Sequence, residues 1–170
     1  MAGQLIQVAT ETVTSAVASV TLTGIDSDDV YMVAFNNVIP TTDNTDMKFR
    51  VTESGTPNTT ANYDRASKLI RTGTSFGNQS ATNETNWDLG ASIGTATGEA
   101  TNGIMYIYNA NNSSEYTFMT KEIVELNQTP ELIAQQGGGV FTSTSTVNGL
   151  SYFFSSGNIA SGTFTLYKVV

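Results

Sequence analysis

Three aspartates near the N-terminus have the residue type and spacing of a cation site. Asp26, Asp28 and Asp29 lie within four positions of one another, and carboxylate oxygens are ligands that calcium prefers. The segment lacks the glycine and the glutamate that complete an EF-hand loop. A turn whose carboxylates face water is therefore the favoured interpretation, and a calcium site is the alternative.

A second group, Glu84 and Asp88, has the residue types for acid–base cleavage of a glycosidic bond. That reaction needs two carboxyl groups about 5 to 9.5 Å apart, which closeness in sequence does not establish. The chain has no His and no Cys, which excludes Ser-His-Asp and Cys-His nucleophile pairs, haem and iron–sulfur ligation and the usual zinc sites. We therefore expect no catalytic residues, no cofactor, no metal and no enzyme activity.

The three consecutive glycines at positions 137–139 have the composition of a phosphate-binding loop. A P-loop also needs a Lys followed by Ser or Thr, and the sequence does not provide that pair here. The favoured interpretation is a strand with a bulge, or one that neighbouring backbone approaches closely.

Basic residues are concentrated in one stretch of an otherwise acidic chain. Five of the seven lie within 24 positions: Lys48, Arg50, Arg65, Lys68 and Arg71. Strand alternation turns Lys48 and Arg50 to one face, opposite Met47, Phe49 and Val51. We hypothesise that these cations form an interface with acidic groups on a partner protein or on a neighbouring subunit. The favoured interpretation is a solvated face that balances local carboxylates.

The elements that carry these residues are predicted to be β-strands, because apolar residues recur at every second position between polar turns. Residues 30–37 are apolar on both faces, as in a central strand. Residues 63–71 fit a strand or a short helix, and we interpret them as a strand. Residues 73–86 are expected to be a long polar connection. Asn148-Gly149 is expected to be a two-residue type I′ hairpin turn.

Together these patterns predict an all-β fold in one domain that spans residues 1–170. We expect an antiparallel β-sandwich, jelly-roll-like, with eight to ten strands. Thr, Ser and Asn supply 58 of the 170 residues, only 13% are charged, and the net charge is −8. This acidity argues against nucleic acid as a partner. The sequence has neither the pattern of a signal peptide nor eighteen apolar residues in a row, so we expect no export and no membrane span.

Three stretches resemble a family of small virion structural proteins of tailed bacteriophages. They are ASVTLTGIDSDDVYMVAFNNVIP, GTATGEATNGIMYIYNANNSSEYTF and FSSGNIASGTFTLYKV. The resemblance implies a capsid decoration or cement protein that binds the major capsid protein and reinforces the capsid. The acidic groups that the basic residues would meet are then those of the capsid or of a neighbouring subunit. It also implies a homotrimer in the virion, assembled in the cytoplasm of the host bacterium.

The same resemblance leaves an alternative open, a tail-fibre or tail-tip domain that recognises glycans on the host. Trp87, Tyr106 and Tyr108 have side chains that could stack on sugar rings. Aromatic residues that alternate in strands are more often part of a core, so the stacking role competes with burial.

Overall fold

The chain folds into β-strands and loops in the computed structural model, which describes residues 3–73 and 76–170. No helix forms within these two ranges, and hence none that could cross a membrane. The strands are β1 (Leu5–Val13), β2 (Val20–Thr23), β3 (Tyr31–Pro40), β4 (Met47–Glu53), β5 (Thr56–Pro57), β6 (Tyr63–Arg71), β7 (Gly77–Glu84), β8 (Trp87–Asp88), β9 (Thr101–Tyr108), β10 (Thr117–Leu126), β11 (Leu132–Phe141), β12 (Gly149–Phe154) and β13 (Ile159–Val169).

These strands form two antiparallel sheets. The larger sheet has eight strands in the order β1-β13-β3-β9-β10-β11-β6-β7. The smaller sheet has the order β2-β12-β4-β5, and β8 pairs with β4 beside this path. The predicted all-β class and antiparallel sandwich are confirmed. The strand count exceeds eight to ten, in part because β5 and β8 are only two residues long.

Aromatic side chains form the centre of the core between the sheets. Phe49 of the smaller sheet lies 4.9 Å from Trp87 and 5.6 Å from Tyr152, measured between ring centroids. Tyr63 of the larger sheet contacts the Trp87 ring edge-on at 5.0 Å. All four rings are fully buried. Each such ring buries a large apolar area, so this cluster is a major source of stability.

The expected long connection at residues 73–86 is wrong over most of its length, because Gly77–Glu84 is strand β7. It pairs with β6 at the edge of the larger sheet, which also confirms the strand interpretation of residues 63–71. Polar residues dominate both faces of β7, since neither face is covered by the core. A strand of this kind lacks the apolar alternation by which strands are recognised.

The expected hairpin turn at Asn148-Gly149 is also wrong. Gly149 begins β12, which pairs with β2 and β4 rather than with the preceding strand β11. The Asn148 side-chain oxygen accepts hydrogen bonds from Thr52 Oγ1 and from the Gly55 amide, at 2.9 and 3.1 Å. Asn148 therefore anchors the chain at the point where it enters the smaller sheet.

The glycines at 137–139 lie within β11, where the expected close approach of neighbouring groups is confirmed. A Cβ atom on Gly139 would lie 2.6 Å from Trp87 Nε1 and 2.7 Å from the carbonyl oxygen of Asp64. These two atoms form a hydrogen bond of 2.9 Å, in which the indole N–H donates. The missing side chain thus makes room for the edge of the Trp87 ring.

We predict that Gly139→Ala lowers the free energy of unfolding by about 1 to 3 kcal/mol, because the new methyl group displaces Trp87 from a packed site. Urea denaturation monitored by Trp87 fluorescence measures the loss. Gly77→Ala is the matched control, since its Cβ would only reach ordinary contact with Leu69 at 3.6 Å. Equal stability of the two variants would contradict the packing role.

Candidate functional site

Part of the predicted basic cluster converges on one carboxylate at the junction of the two sheets. Lys48 of β4 lies 3.1 Å from Asp88 Oδ1, and Arg65 of β6 pairs with Asp88 Oδ2. Arg50 donates from Nε to the carbonyl oxygen of Thr85 at 2.9 Å. These three cations are therefore engaged by neighbouring groups of the same chain.

The other two predicted residues lie farther along β6. Arg65 and Arg71 are six residues apart in a strand, which is about 20 Å. Arg71 pairs with Glu131 at 3.3 Å. Lys68 is exposed and forms no ion pair with any residue in 3–73 or 76–170. The five cations thus do not form one patch, and their contact with a partner stays a prediction.

The acidic turn holds an ammonium group from this chain. Lys168 Nζ lies 2.7 Å from Asp29 Oδ2 and donates a hydrogen bond to Ser27 Oγ, also at 2.7 Å. The hydrogen bond with Lys168 lowers the pKa of Asp29, and the same contact raises the pKa of Lys168. Asp26 accepts a hydrogen bond from the Tyr31 hydroxyl at 3.0 Å. No cluster of three metal-ligating side chains occurs in the described parts of the chain.

Glu84 and Asp88, the acid–base candidates, occupy different strands and different environments. Glu84 is exposed at the end of β7, in the larger sheet. Asp88 belongs to β8, beside the smaller sheet, and already binds two cations. Asp88 therefore serves to hold the sheets together. None of the contacts described for Asp88 brings it together with Glu84.

A buried polar network, absent from the sequence predictions, lies next to Asp88. Lys121 Nζ donates to the carbonyl oxygens of Asp88 and Leu89 and to Gln135 Oε1, at 2.9 to 3.0 Å. Gln135 donates in turn to Glu125 Oε1 at 3.0 Å, and the Ala91 amide donates to the same oxygen at 2.9 Å. The network ties residues 88–91 to strands β10 and β11.

Burial dominates the electrostatics of this network. It lowers the pKa of Lys121 to about 8, although the charge of Glu125 opposes the shift. It raises the pKa of Glu125 to about 7, against the hydrogen bond from Ala91 and the charge of Lys121. Both side chains are at most 3% exposed. The side-chain contacts of both residues are to other groups in the protein interior, so we assign them a structural role.

The surface that remains open is the side of the larger sheet that faces away from the core, here called the outer face. Tyr106, Tyr108 and Phe118 lie on it, and Phe118 is 45% exposed. Two depressions, of about 670 and 480 Å³, share Tyr108 and Thr120 in their linings. They adjoin each other at these two residues, and together they form a concavity in which each depression has the size that small ligands occupy.

A separate apolar area lies at the other end of the outer face. Val124 is in register with Ala134, and Ala134 is in register with Ile70. Leu132 lies two positions from Ala134 on the same face of β11. Ile70, Val124 and Leu132, here called the aliphatic patch, are 43 to 45% exposed. Exposed apolar residues that adjoin one another are a feature of contact surfaces.

Trp87 is fully buried in the core, which confirms the favoured interpretation for this residue and excludes the alternative of sugar stacking. Its partners Tyr63 and Phe49 come from opposite sheets, a long-range contact that alternation within one strand does not show. Tyr106 and Tyr108 are half-buried on the outer face, where their rings remain accessible.

No family model and no curated protein sequence matches the chain. A search of solved structures finds similarity to a chain in the structure of the infectious bursal disease virus Gt strain, at 11% identity and a TM-score of 0.15. The match covers 99% of this chain and 42% of that chain. A likeness this low carries no argument about fold or function.

We predict that the free energy of unfolding falls, by about 1 to 3 kcal/mol, as the pH rises from 4.5 to about 7. Glu125 has a higher pKa when folded, so across this range the folded chain keeps a proton that the unfolded chain releases. Glu125→Gln should remove this fall in stability with pH. Urea denaturation at several pH values measures the free energy of unfolding of both proteins.

Glu122→Gln is the matched control for this prediction, because Glu122 is exposed on the opposite face of the same strand. The control should keep the pH dependence of the wild type. A wild-type stability that does not fall across this range, or an unchanged dependence in Glu125→Gln, would contradict the assignment.

Proposed function

We propose that the chain is a non-catalytic structural protein of a tailed-phage virion, a decoration protein that binds the major capsid protein and reinforces the capsid. The resemblance of the three sequence stretches supports the virion setting. The all-β sandwich supports it in a general way, because a broad sheet face can lie against a partner protein. On this proposal the protein is assembled in the host cytoplasm and works in the virion.

The aliphatic patch is the observation that carries the proposal. Its three side chains lie together on the outer face, and exposed apolar area of this kind gains free energy when a partner covers it. Glu122, Gln136 and Lys68 are exposed on the same face, each two residues along its strand from Val124, Ala134 or Ile70, and so border the patch with polar side chains. An apolar centre with a polar rim is the usual anatomy of a protein–protein interface.

A homotrimer is the form in which we propose that the protein attaches. Strand β7 is an edge of the larger sheet and carries one charged residue, Glu84. Edge strands that lack charges are prone to pair with another chain. A neighbouring subunit that covers β7 would remove this hazard, and closed symmetry is the usual arrangement of identical subunits.

The second candidate is a tail-fibre or tail-tip domain that recognises glycans on the host. Tyr106, Tyr108 and Phe118 on the outer face favour it, whereas the burial of Trp87 removes one of its three expected residues. Copy number separates the two candidates, because a decoration protein is present in hundreds of copies and a tail component in a few. Quantitative densitometry of purified virions provides that number.

We predict that Val124→Lys lowers the affinity for undecorated capsids by about tenfold or more, since it places a charge in the centre of an apolar contact. Cosedimentation with purified capsids measures the bound fraction. The variant should fold normally, because Val124 points away from the core.

Leu5→Lys is the matched control, as Leu5 is an equally exposed apolar residue on the distant edge strand β1. It should bind capsids as the wild type does. Unchanged binding by Val124→Lys would exclude the aliphatic patch as the attachment surface, and wild-type protein that does not bind capsids at all would refute the decoration role.

A further inference from the structure

The concavity on the outer face is a groove that crosses the strands of the larger sheet. Its floor follows one row of the register, from Thr120 of β10 through Gly138 of β11 to Ala66 of β6. The side chains along this row are small or absent. The rows on either side, two residues away along each strand, carry larger side chains that form the walls.

The two walls differ in chemistry. One wall contains Tyr108, Phe118 and Val140, which are neighbours in register across three strands. The other contains Glu122 and Gln136, and the Gln136 amide donates a hydrogen bond to Glu122 Oε1 at 2.9 Å. The first wall is thus mostly aromatic and apolar and ends at Asp64 of β6, which is in register with Val140. The second wall begins at Ile104 of β9, which is in register with Glu122, and is richer in hydrogen-bonding groups.

The dimensions follow from sheet geometry. The walls are four residues apart along a strand, which places their backbones about 13 Å from each other. Tyr106 of β9 is in register with Thr120 and closes the row at that end, whereas Ser80 of β7 is in register with Ala66 and extends the floor. From β10 to β7 the groove spans three strand spacings, about 14 Å. Once the wall side chains are allowed for, this space is wide enough for a single chain of sugar rings and long enough for a short oligosaccharide.

Gly138 has a direct part in shaping the floor. It is flanked in register by Thr120 and Ala66, so three adjacent strands present no bulky side chain on this row. Tyr108 extends over the same area, since its hydroxyl lies 3.4 Å from Thr120 Oγ1. A flat ring with a polar tip, next to an open floor, suits a ligand that is itself flat and edged with hydroxyls.

We infer that this groove binds a neutral oligosaccharide. A pyranose ring has C–H groups on its face and hydroxyls on its edge, which match the aromatic wall and the Glu122–Gln136 pair respectively. Glu122 and Asp64 are the acidic side chains on the two walls, and Lys68 lies in register beyond Gln136. The two carboxylates outnumber the single ammonium group, so the groove favours a neutral glycan over an anionic one.

A peptide is a poorer occupant of the same groove. The floor lies in the middle of the sheet, where the backbone groups of β10, β11 and β6 already pair with one another. An extended peptide would find no free backbone partners there, unlike at a sheet edge. A sugar needs only side-chain donors and acceptors, which the polar wall provides. Nucleic acid is disfavoured by the net charge of −8.

This inference does not depend on where the protein lies in the virion, and its test uses the isolated full-length chain without capsids. The probes are cellohexaose, maltohexaose, chitohexaose and mannohexaose, titrated by calorimetry and by amide chemical shifts. We expect binding of at least one at millimolar concentration or better, with shifts confined to β9, β10, β11, β6 and β7.

Two variants test the groove itself. Tyr108→Ala should weaken binding by about tenfold through loss of the aromatic wall, and Ala66→Met should block it by filling the floor. Tyr167→Ala is the matched control: Tyr167 lies on the outer face in strand β13, beyond Met32, and lines neither depression. Thermal melting verifies that all three variants fold.

The outcomes separate this inference from the proposed function. Failure of all four hexasaccharides to bind overturns the glycan site and leaves the capsid assay unaffected. If Tyr108→Ala reduces capsid attachment while no sugar binds, the groove belongs to the capsid contact and the inference is wrong. Equal loss of binding in Tyr167→Ala would also overturn the assigned location.

Discussion

The structure depends on one short segment, residues 87–91, that joins the two sheets through polar contacts in an apolar interior. Asp88 binds Lys48 from the smaller sheet and Arg65 from the larger one. Lys121 donates to the carbonyl oxygens at positions 88 and 89. A buried ammonium is costly unless it is fully hydrogen-bonded, so these partners cannot be removed singly without a large loss. The segment therefore fixes the position of one sheet relative to the other. Apolar packing alone is non-directional and specifies that position less precisely.

The glycines of β11 connect this interior to the open surface. On the core side, the absent side chain of Gly139 leaves room for Trp87, the first residue of the joining segment. On the outer face, Gly138 leaves the groove floor clear between Thr120 and Ala66. Neighbouring residues of a strand point to opposite faces, so one glycine run satisfies both requirements. The close packing of Trp87 and the existence of the groove are thus two consequences of the same sequence feature.

The sequence predicts the strands that have one apolar face, and it fails where that signal is missing. Alternation identifies β4, in which Met47, Phe49 and Val51 share the buried face, whereas β7 is polar on both faces and is predicted as a loop. In β10 both faces mix apolar and polar residues, so nothing local shows that Lys121 and Glu125 are the buried ones. The partners of Asp88 come from strands distant in sequence, so the sequence alone predicts the cluster of cations to be a surface feature. Only the fold brings them to a shared carboxylate.

Most basic side chains pair with groups of the same chain, and this determines the chemistry of the surface that is left for partners. Lys48, Arg65, Arg71 and Lys168 are paired with carboxylates, and Lys121 is buried. Few positive charges are left to attract an anionic partner, and the net charge of −8 would repel one. Contacts on the outer face must therefore come from apolar area, aromatic rings and neutral hydrogen bonds. Such contacts depend little on salt, because screening weakens only the interactions between charges. This is the physical reason to seek the partners of this protein among apolar protein surfaces and neutral glycans.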